Sequence, residues 1–321
     1  AASETADTTY YDMIHKDCQK DEAADFRVKK YQLDFSVGLN LTGSAKVYVD
    51  RSKLKSYRFT LYHGYKVKQV TDQTGAALDF RREYDYVTVT RGGAAVEYLC
   101  LEYTGKSPKY YSSYAGVCLP ANFAYYPIPG YRELFSDNFY GFIDCSLPYD
   151  TAFDVRCSGR KQMYCNLAAR GDNHFAGNAR SITLLSGYYD TLKLNDTLVV
   201  YPKYADGEIQ ARIKKNMGTF TKEHRDIRTI FIMGADNLTP YEHLRSYDGY
   251  VVTNSMIDME QSYFESQIDI SKMDFYKTFV YYYNEKVDRE ELEQLKQSED
   301  PEEYPMVQII LKLSASKNRE A

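Results

Sequence analysis

The fold class of this 321-residue chain is indicated most clearly by one stretch near its N-terminus, Tyr31-Gln32-Leu33-Asp34-Phe35-Ser36-Val37-Gly38-Leu39-Asn40-Leu41. Apolar and polar side chains alternate through it, and the apolar ones are Tyr31, Leu33, Phe35, Val37, Leu39 and Leu41. An alternation of period two predicts a half-buried β-strand that carries these side chains on one face. Thr42-Gly43-Ser44 is a turn signal, so a second strand is predicted over 45–50.

Segments of the same kind continue to about residue 204. Turn signals separate them, among them Asp72–Gly75, Gly92-Gly93 and Thr104-Gly105. About ten short strands, spaced roughly 8–15 residues apart, predict an antiparallel sandwich or saddle rather than βαβ units.

The pattern changes near Pro202. Ile209, Ile213, Met217 and Phe220 recur at helical spacing, which predicts an amphipathic helix over 207–220. Short strands are predicted at 227–233 and 250–253, with helices after them. We therefore expect a mainly β protein with an α/β part. Its parts are a linker-like segment over 1–25, an antiparallel β-sandwich domain over 26–204, and a small, helix-rich α/β domain over 205–321.

Tyrosine is the residue type that stands out in the composition. The chain has 33 Tyr and no Trp. Exposed tyrosines can form a binding surface for sugars or proteins, whereas tyrosines on strands also pack well within sheets. The candidate aromatic surface consists of Tyr110, Tyr111, Tyr114, Tyr125 and Tyr126.

Charge and hydropathy exclude two classes of function. The net charge is −5, with 40 basic and 45 acidic residues, so bulk electrostatics indicate no nucleic-acid partner. Nowhere do about 18 consecutive apolar residues occur, so the sequence predicts no membrane-spanning helix. The six cysteines form no C-x-x-C pair, which leaves both disulfides and free buried thiols open.

Catalytic motifs are missing from the sequence. No His is followed by Glu, so the zinc motif H-E-x-x-H is absent. The five histidines, His15, His63, His174, His224 and His243, lie far apart in the chain. We therefore expect no zinc site and no cofactor in this chain.

The order of several segments resembles the aminopeptidase N family of zinc peptidases, and bacterial membrane-associated members in particular. The matching segments run over 26–255 and include Tyr31–Phe35, Tyr98–Gly105, Phe123–Pro129, His174–Gly177 and Leu198–Pro202. The resemblance implies a saddle-shaped β-domain that covers one side of a thermolysin-like catalytic domain. Residues 206–256 resemble the start of that second domain.

The chain departs from the family at its catalytic motifs. The zinc helix of the family is expected soon after Met256, but no His follows His243. Gly234-Ala-Asp-Asn237 is similar to the exopeptidase motif Gly-x-Met-Glu-Asn, whose Glu binds the amino group of the substrate. The resemblance makes Asp236 and Asn237 candidates for binding a peptide amine, although a turn before Pro240 also explains them.

Together these observations favour a non-catalytic, extracytoplasmic, peptidase-like module that acts in interaction or as a scaffold. Its partner is expected to be a protein or peptide, and membrane attachment is expected through segments outside this chain. Two alternatives remain. One is a fragment of an active zinc aminopeptidase whose metal site lies outside the chain. The other is a Tyr-rich, carbohydrate- or peptide-binding β-sandwich.

Overall fold

Strands dominate the architecture, as the period-two patterns predict. The computed structural model describes residues 20–107, 111–112, 116–136, 141–142, 144–159, 162–187, 189–203, 211, 214–215, 217–218, 221–222, 224–232 and 244–253. These residues belong to one unit, Ala1–Met256, and the second unit, Ile257–Ala321, lies outside the described residues. The fold class, mainly β with antiparallel sheets, is confirmed.

The described strands are numbered in chain order. The first nine are β1 Val28–Val37, β2 Leu41–Val49, β3 Ser56–Thr60, β4 Tyr65–Thr71, β5 Phe80–Glu83, β6 Tyr86–Thr90, β7 Tyr98–Gly105, β8 Tyr111–Ser112 and β9 Gly116–Leu119. The next seven are β10 Ile128–Pro129, β11 Phe135–Ser136, β12 Gly141–Phe142, β13 Thr151–Ser158, β14 Met163–Cys165, β15 Ala168–Gly171 and β16 His174–Ala179. The last six are β17 Leu184–Ser186, β18 Tyr189–Leu194, β19 Thr197–Pro202, β20 Thr229–Ile232, β21 Leu244–Tyr247 and β22 Tyr250–Thr253.

The described strands form five sheets. The largest has seven strands in the order β15-β16-β13-β1-β2-β7-β4, and a four-stranded sheet has the order β10-β3-β6-β5. A second four-stranded sheet is β14-β17-β9-β8, a five-stranded sheet is β18-β19-β20-β22-β21, and β11 pairs with β12. Most pairs are antiparallel, but β1 pairs with β13 in parallel. Strand β20 pairs in parallel with both β19 and β22.

The first hairpin corrects the predicted position of its turn. Strand β1 ends at Val37 and β2 begins at Leu41, so the turn lies over 38–40 and not at Thr42-Gly43-Ser44. Leu39 is therefore 83% exposed instead of lying on the buried face. Gly43 lies within β2, where an added Cβ would come within 2.5 Å of the Tyr103 ring. Gly43 is thus required by close packing rather than by a turn.

The core contains tyrosines whose phenols bond to buried carbonyls. The buried segment Pro120–Gly130, which includes a short 3-10 helix over Ala121–Phe123, is the main acceptor. Tyr31 Oη donates to Pro127 O at 2.8 Å, and Tyr103 Oη donates to Tyr125 O at 2.8 Å. Because an irregular buried segment leaves carbonyls without strand partners, these phenols satisfy acceptors that Phe would leave unpaired.

The described part of the N-terminal segment packs on the β-structure. Glu22 forms an antiparallel bridge with Tyr131, with both N···O distances at 2.8 Å. Arg58 binds Glu22 at 2.6 Å and Asp25 at 3.1 Å. The segment is therefore held by main-chain bonds to Tyr131 and by ion pairs to Arg58 of strand β3.

The five-stranded sheet contains strands from both sides of residue 204. Strand β19 pairs with β20, and β20 pairs with β22. The described residues of 211–218 have helical backbone, and Met217 is buried, in agreement with the helix predicted over 207–220; residues 221–222 are also helical, beyond its predicted end. The expected domain boundary at 204 stays a prediction. Among the described residues, the structure contains no helix of the length and apolar character that a membrane span requires.

Candidate functional site

Most of the residues proposed from the sequence as binding sites lie where the structure gives no description. Tyr110, Tyr114, Asp236 and Asn237 lie outside the described residues, and only the backbone of Tyr111 is described, in β8. Their roles stay predictions.

Tyr125 and Tyr126 are core residues, which removes them from the candidate aromatic surface. Both are 0% exposed, and Tyr125 Oη donates to Ile182 O at 2.9 Å. Burial raises the pKa of both phenols well above the usual value. Adjacent residues of a strand point to opposite faces, but this pair lies outside any strand, in a segment enclosed on all sides.

One face of the seven-stranded sheet is polar and solvent-exposed. On β1 this face carries Lys30, Gln32, Asp34 and Ser36, which alternate with buried Tyr31, Leu33 and Phe35. In one row across the sheet, the register aligns His174, Arg156, Asp34, Ser44 and Glu102. We call this surface, from β16 to β7, the outer face.

An open groove of about 450 Å³ crosses the outer face. Carboxylates, hydroxyls and cations line it together. Its charged lining residues are Asp34, Glu102, Lys68 and Arg156, and its hydroxyl residues include Ser36, Thr42, Ser44 and Ser158. Such a lining offers both donors and acceptors to a polar ligand.

A His–carboxylate pair lies at the β13–β16 side of the outer face. His174 Nε2 lies 2.9 Å from Asp154 Oδ1, and Arg156 Nε lies 3.9 Å from the same oxygen. All three are partly solvent-exposed. Asp154 thus has two basic side chains beside it.

Two half-buried tyrosines lie side by side on the outer face. Tyr48 of β2 and Tyr98 of β7 are register partners, and their ring centroids are 4.9 Å apart. Tyr48 Oη donates to Gln32 Oε1 at 2.8 Å, which orients the ring. Burial and the neighbouring Tyr98 phenol raise the pKa of Tyr48. Lys30 Nζ lies 5.7 Å from the Tyr48 centroid, and Lys46 Nζ lies 5.6 Å from that of Tyr98.

A second His–carboxylate pair is part of the scaffold. Asp85, 2% exposed, accepts a hydrogen bond from the His63 amide at 2.7 Å and lies 2.8 Å from His63 Nδ1. Arg82 donates to Leu61 O at 2.7 Å and to Tyr62 O at 3.0 Å. Burial lowers the pKa of Arg82 to about 10, against the opposing effect of Asp85. These contacts tie the turn over 61–64 to the β5–β6 hairpin.

The described residues do not fit a catalytic zinc ion. Such a site needs three His, Cys, Asp or Glu ligands that converge on one point. Within the part of the chain that the structure describes, no group of three or more such side chains is close enough to hold a metal.

Sequence periodicity identified the strands of this face but not its pairs. Tyr48 and Tyr98 could not be paired from the sequence, because they are 50 positions apart in the chain. Their outward orientation follows from the alternation with Val47 and Leu99. Their adjacency required the β2–β7 register.

Solved structures with the same architecture include two of leukotriene A4 hydrolase from yeast. One, a complex with bestatin, matches with 12% identity and a TM-score of 0.50, over 72% of this chain and 40% of that chain. The other, the native Saccharomyces cerevisiae enzyme, matches with 10% identity and a TM-score of 0.51, over 75% and 43%. The chain shares the fold of leukotriene A4 hydrolase over this part.

An aminopeptidase N family protein from Idiomarina loihiensis is also similar. It matches with 8% identity and a TM-score of 0.47, over 70% of this chain and 42% of that chain. The chain thus spans about two fifths of the length of leukotriene A4 hydrolase and of this protein. No protein-family model and no curated protein matches the sequence. The resemblance to zinc aminopeptidases is confirmed at the level of the fold.

Proposed function

We propose that this chain is a peptidase-like β-module that does not itself catalyse hydrolysis and that serves in interaction or as a scaffold. One observation carries the proposal. The fold is shared with leukotriene A4 hydrolase, while none of the 321 residues belongs to an H-E-x-x-H motif. Zinc peptidases of this type place two histidines one helical turn apart, with the catalytic Glu between them.

The surroundings of two described histidines support this proposal. His63 bonds to Asp85 in the turn before β4, and His174 bonds to Asp154 on the outer face. The two pairs belong to different parts of the β-structure, and each orients its imidazole toward a carboxylate. Both pairs have a structural explanation that requires no metal.

We propose further that the module works outside the cytoplasm, in a membrane-attached protein whose anchoring segments lie outside this chain, with a protein or peptide as partner. The support is the resemblance to bacterial membrane-associated members of the family. The net charge of −5 makes a nucleic acid an unfavourable partner. Fractionation of cells that express the full-length protein, followed by protease treatment of intact cells, tests the location.

A hydrolysis assay on the purified chain tests the proposed lack of catalysis. Aminoacyl-coumarin substrates with Ala, Arg, Leu and Glu are incubated with the chain in the presence of zinc. We expect no release above that of a heat-denatured sample. Release that a chelator abolishes would overturn the proposal.

The second candidate function is a part of an active zinc aminopeptidase. The short span of the chain against leukotriene A4 hydrolase, about two fifths of its length, favours it. In that case a longer protein supplies the metal ligands, and this chain covers one side of its catalytic domain. The full-length gene separates the two candidates, since an H-E-x-x-H motif in it would favour the second.

A further inference from the structure

We propose that the outer face binds an anionic oligosaccharide, with one acidic sugar over the Tyr48–Tyr98 pair and its neighbours in the adjoining groove. The proposal goes beyond the proposed function and does not depend on it. It rests on a pair of aromatic rings, two ammonium groups and a polar groove that occur together on one sheet face.

The aromatic pair supplies the stacking surface. Tyr48 and Tyr98 are half-buried, lie 4.9 Å apart and are tilted by 46°. The bond from Tyr48 Oη to Gln32 holds one ring in place, so little conformational entropy is lost when a ligand stacks on it. The C–H face of a pyranose ring packs on such an aromatic surface, and its hydroxyls remain free for polar contacts.

Two lysines favour an acidic sugar at this position. The ammonium groups of Lys30 and Lys46 each lie within 6 Å of one ring of the pair. Carboxylates share this face: Glu97 is exposed beside Tyr98, Asp154 is the register partner of Gln32, and Asp34 and Glu102 lie one step further along β1 and β7. A sugar with a carboxylate or a sulfate complements this pair of cations, whereas a neutral sugar does not.

The groove continues from the aromatic pair along the same strands. Gln32 and Asp34 are two residues apart on β1, and Lys46 and Ser44 are two apart on β2, so each step is about 7 Å long. Asp34, Ser44 and Glu102 line the groove. Their carboxylate and hydroxyl oxygens can accept hydrogen bonds from successive sugar hydroxyls.

The topology favours a glycan over an extended peptide. Strands β1, β2 and β7 are inner strands, each paired on both sides. A peptide that adds to a sheet needs an unpaired strand edge, and the outer face offers none at these strands. Recognition here must use side chains alone, and the side chains present are aromatic, cationic and polar.

Calorimetric titration of the purified chain with two acidic probes tests the proposal. One probe is an oligogalacturonate, which carries carboxylates, and the other is a chondroitin sulfate oligosaccharide, which carries sulfates as well. The fully methyl-esterified oligogalacturonate is the neutral control. We expect at least one acidic probe to bind, and the neutral form to bind about tenfold more weakly or worse. The two probes distinguish a carboxylate from a sulfate as the recognised group.

Variants locate the site. The double variant Y48A/Y98A and the double variant K30Q/K46Q are each expected to weaken binding about tenfold or more. The matched control K53Q/K55Q removes two exposed lysines from the β2–β3 connection and is expected to leave affinity unchanged. Thermal melting establishes that each variant is folded, and K30Q/K46Q keeps the test valid if the tyrosine variant fails to fold.

Three results would overturn the proposal. The first is no binding of either acidic probe at millimolar concentration. The second is equal binding of the neutral ester. The third is competition by a poly-glutamate peptide as strong as that by the oligosaccharides, which would indicate a surface for acidic peptides.

Discussion

The phenol of Tyr250 and the hydroxyl of Ser181 form a buried hydrogen bond of 2.9 Å. Thr183 Oγ1, at 3.2 Å, is a second partner of the same phenol. Tyr250 begins β22 of the five-stranded sheet, and the two hydroxyl residues come just before β17 of another sheet. This contact therefore joins residues on the two sides of position 204, where the sequence predicted a domain boundary.

Replacing Tyr250 by Phe is expected to destabilise the protein by about 1–3 kcal/mol, because two buried hydroxyls lose their common partner. Ser181→Ala is the matched variant, and it leaves the bond between Tyr250 and Thr183 in place. We expect a smaller loss for it, measured as the free energy of unfolding in urea. An equal or larger loss for Ser181→Ala would contradict the shared role of the phenol.

The buried tyrosines are expected to be more sensitive to loss of their hydroxyl than the tyrosines of the outer face. Tyr31→Phe leaves Pro127 O without its donor in the core and is expected to cost about 1–3 kcal/mol. Tyr48→Phe removes a bond to half-buried Gln32, where water replaces it, and is expected to cost less than about 1 kcal/mol. Urea unfolding of both variants measures the difference, and a reversed order would contradict this explanation of the tyrosine content.

Gly43→Ala tests the close approach of β2 to Tyr103. The new Cβ would lie 2.5 Å from Tyr103 Cζ, so the ring or the strand must move, at an expected cost of about 1–3 kcal/mol. Gly171→Ala is the control, since no atom lies within 4 Å of its added Cβ. We expect that variant to lie between unchanged and about 1 kcal/mol more stable. Equal effects of the two substitutions on the melting temperature would contradict the predicted clash.

Alkaline pH is expected to unfold the protein through its tyrosines. Burial raises the pKa of Tyr86 to about 12, and it raises the pKa of Tyr31 and Tyr103 well above the usual value. The folded state thus holds these protons more tightly than the unfolded chain, whose tyrosines titrate near pH 10. The resulting stability is complete below about pH 10 and is lost as the pH rises toward the folded-state pKa values.

Near-ultraviolet absorbance measures this titration directly, since the chain contains no Trp. We expect the buried tyrosines to ionise only together with the loss of circular dichroism. Ionisation of all tyrosines in a protein that keeps its dichroism would contradict the burial described here.

Periodicity in the sequence was sufficient for the strands and insufficient for their partners. The alternation through Tyr31, Leu33 and Phe35 follows from burial of one face, so it is visible in a single strand. The parallel pairing of β1 with β13 joins residues more than a hundred positions apart. No local pattern encodes such a pairing.

The turn of the first hairpin shows how a small residue can mislead. Gly43 was interpreted as a turn residue, because glycine is common in turns, but it lies in β2 to admit the Tyr103 ring. The turn in the structure covers residues 38–40. Its first residue is Gly38, and it exposes Leu39. The alternation of apolar and polar residues happens to continue through Leu39. Such an alternation does not reveal where the chain reverses direction.

Two members of the candidate aromatic surface were wrongly assigned to it for a related reason. Tyr125 and Tyr126 lie in an irregular segment that the core encloses, and only the tertiary structure shows this enclosure. Tyr48 and Tyr98 occupy ordinary strand positions, so nothing in the sequence marks them as neighbours. The lysines beside them are likewise unremarkable until the register brings Lys30 next to Tyr48.

Zinc content distinguishes a peptidase-like fold without a metal site, as proposed for this chain, from a working zinc peptidase. The purified chain is incubated with excess zinc and separated from free metal by gel filtration. Its zinc content is then measured by inductively coupled plasma mass spectrometry. We expect far less than one zinc ion per chain and no aminopeptidase activity. One tightly held zinc ion per chain, with hydrolysis that a chelator removes and zinc restores, would contradict it.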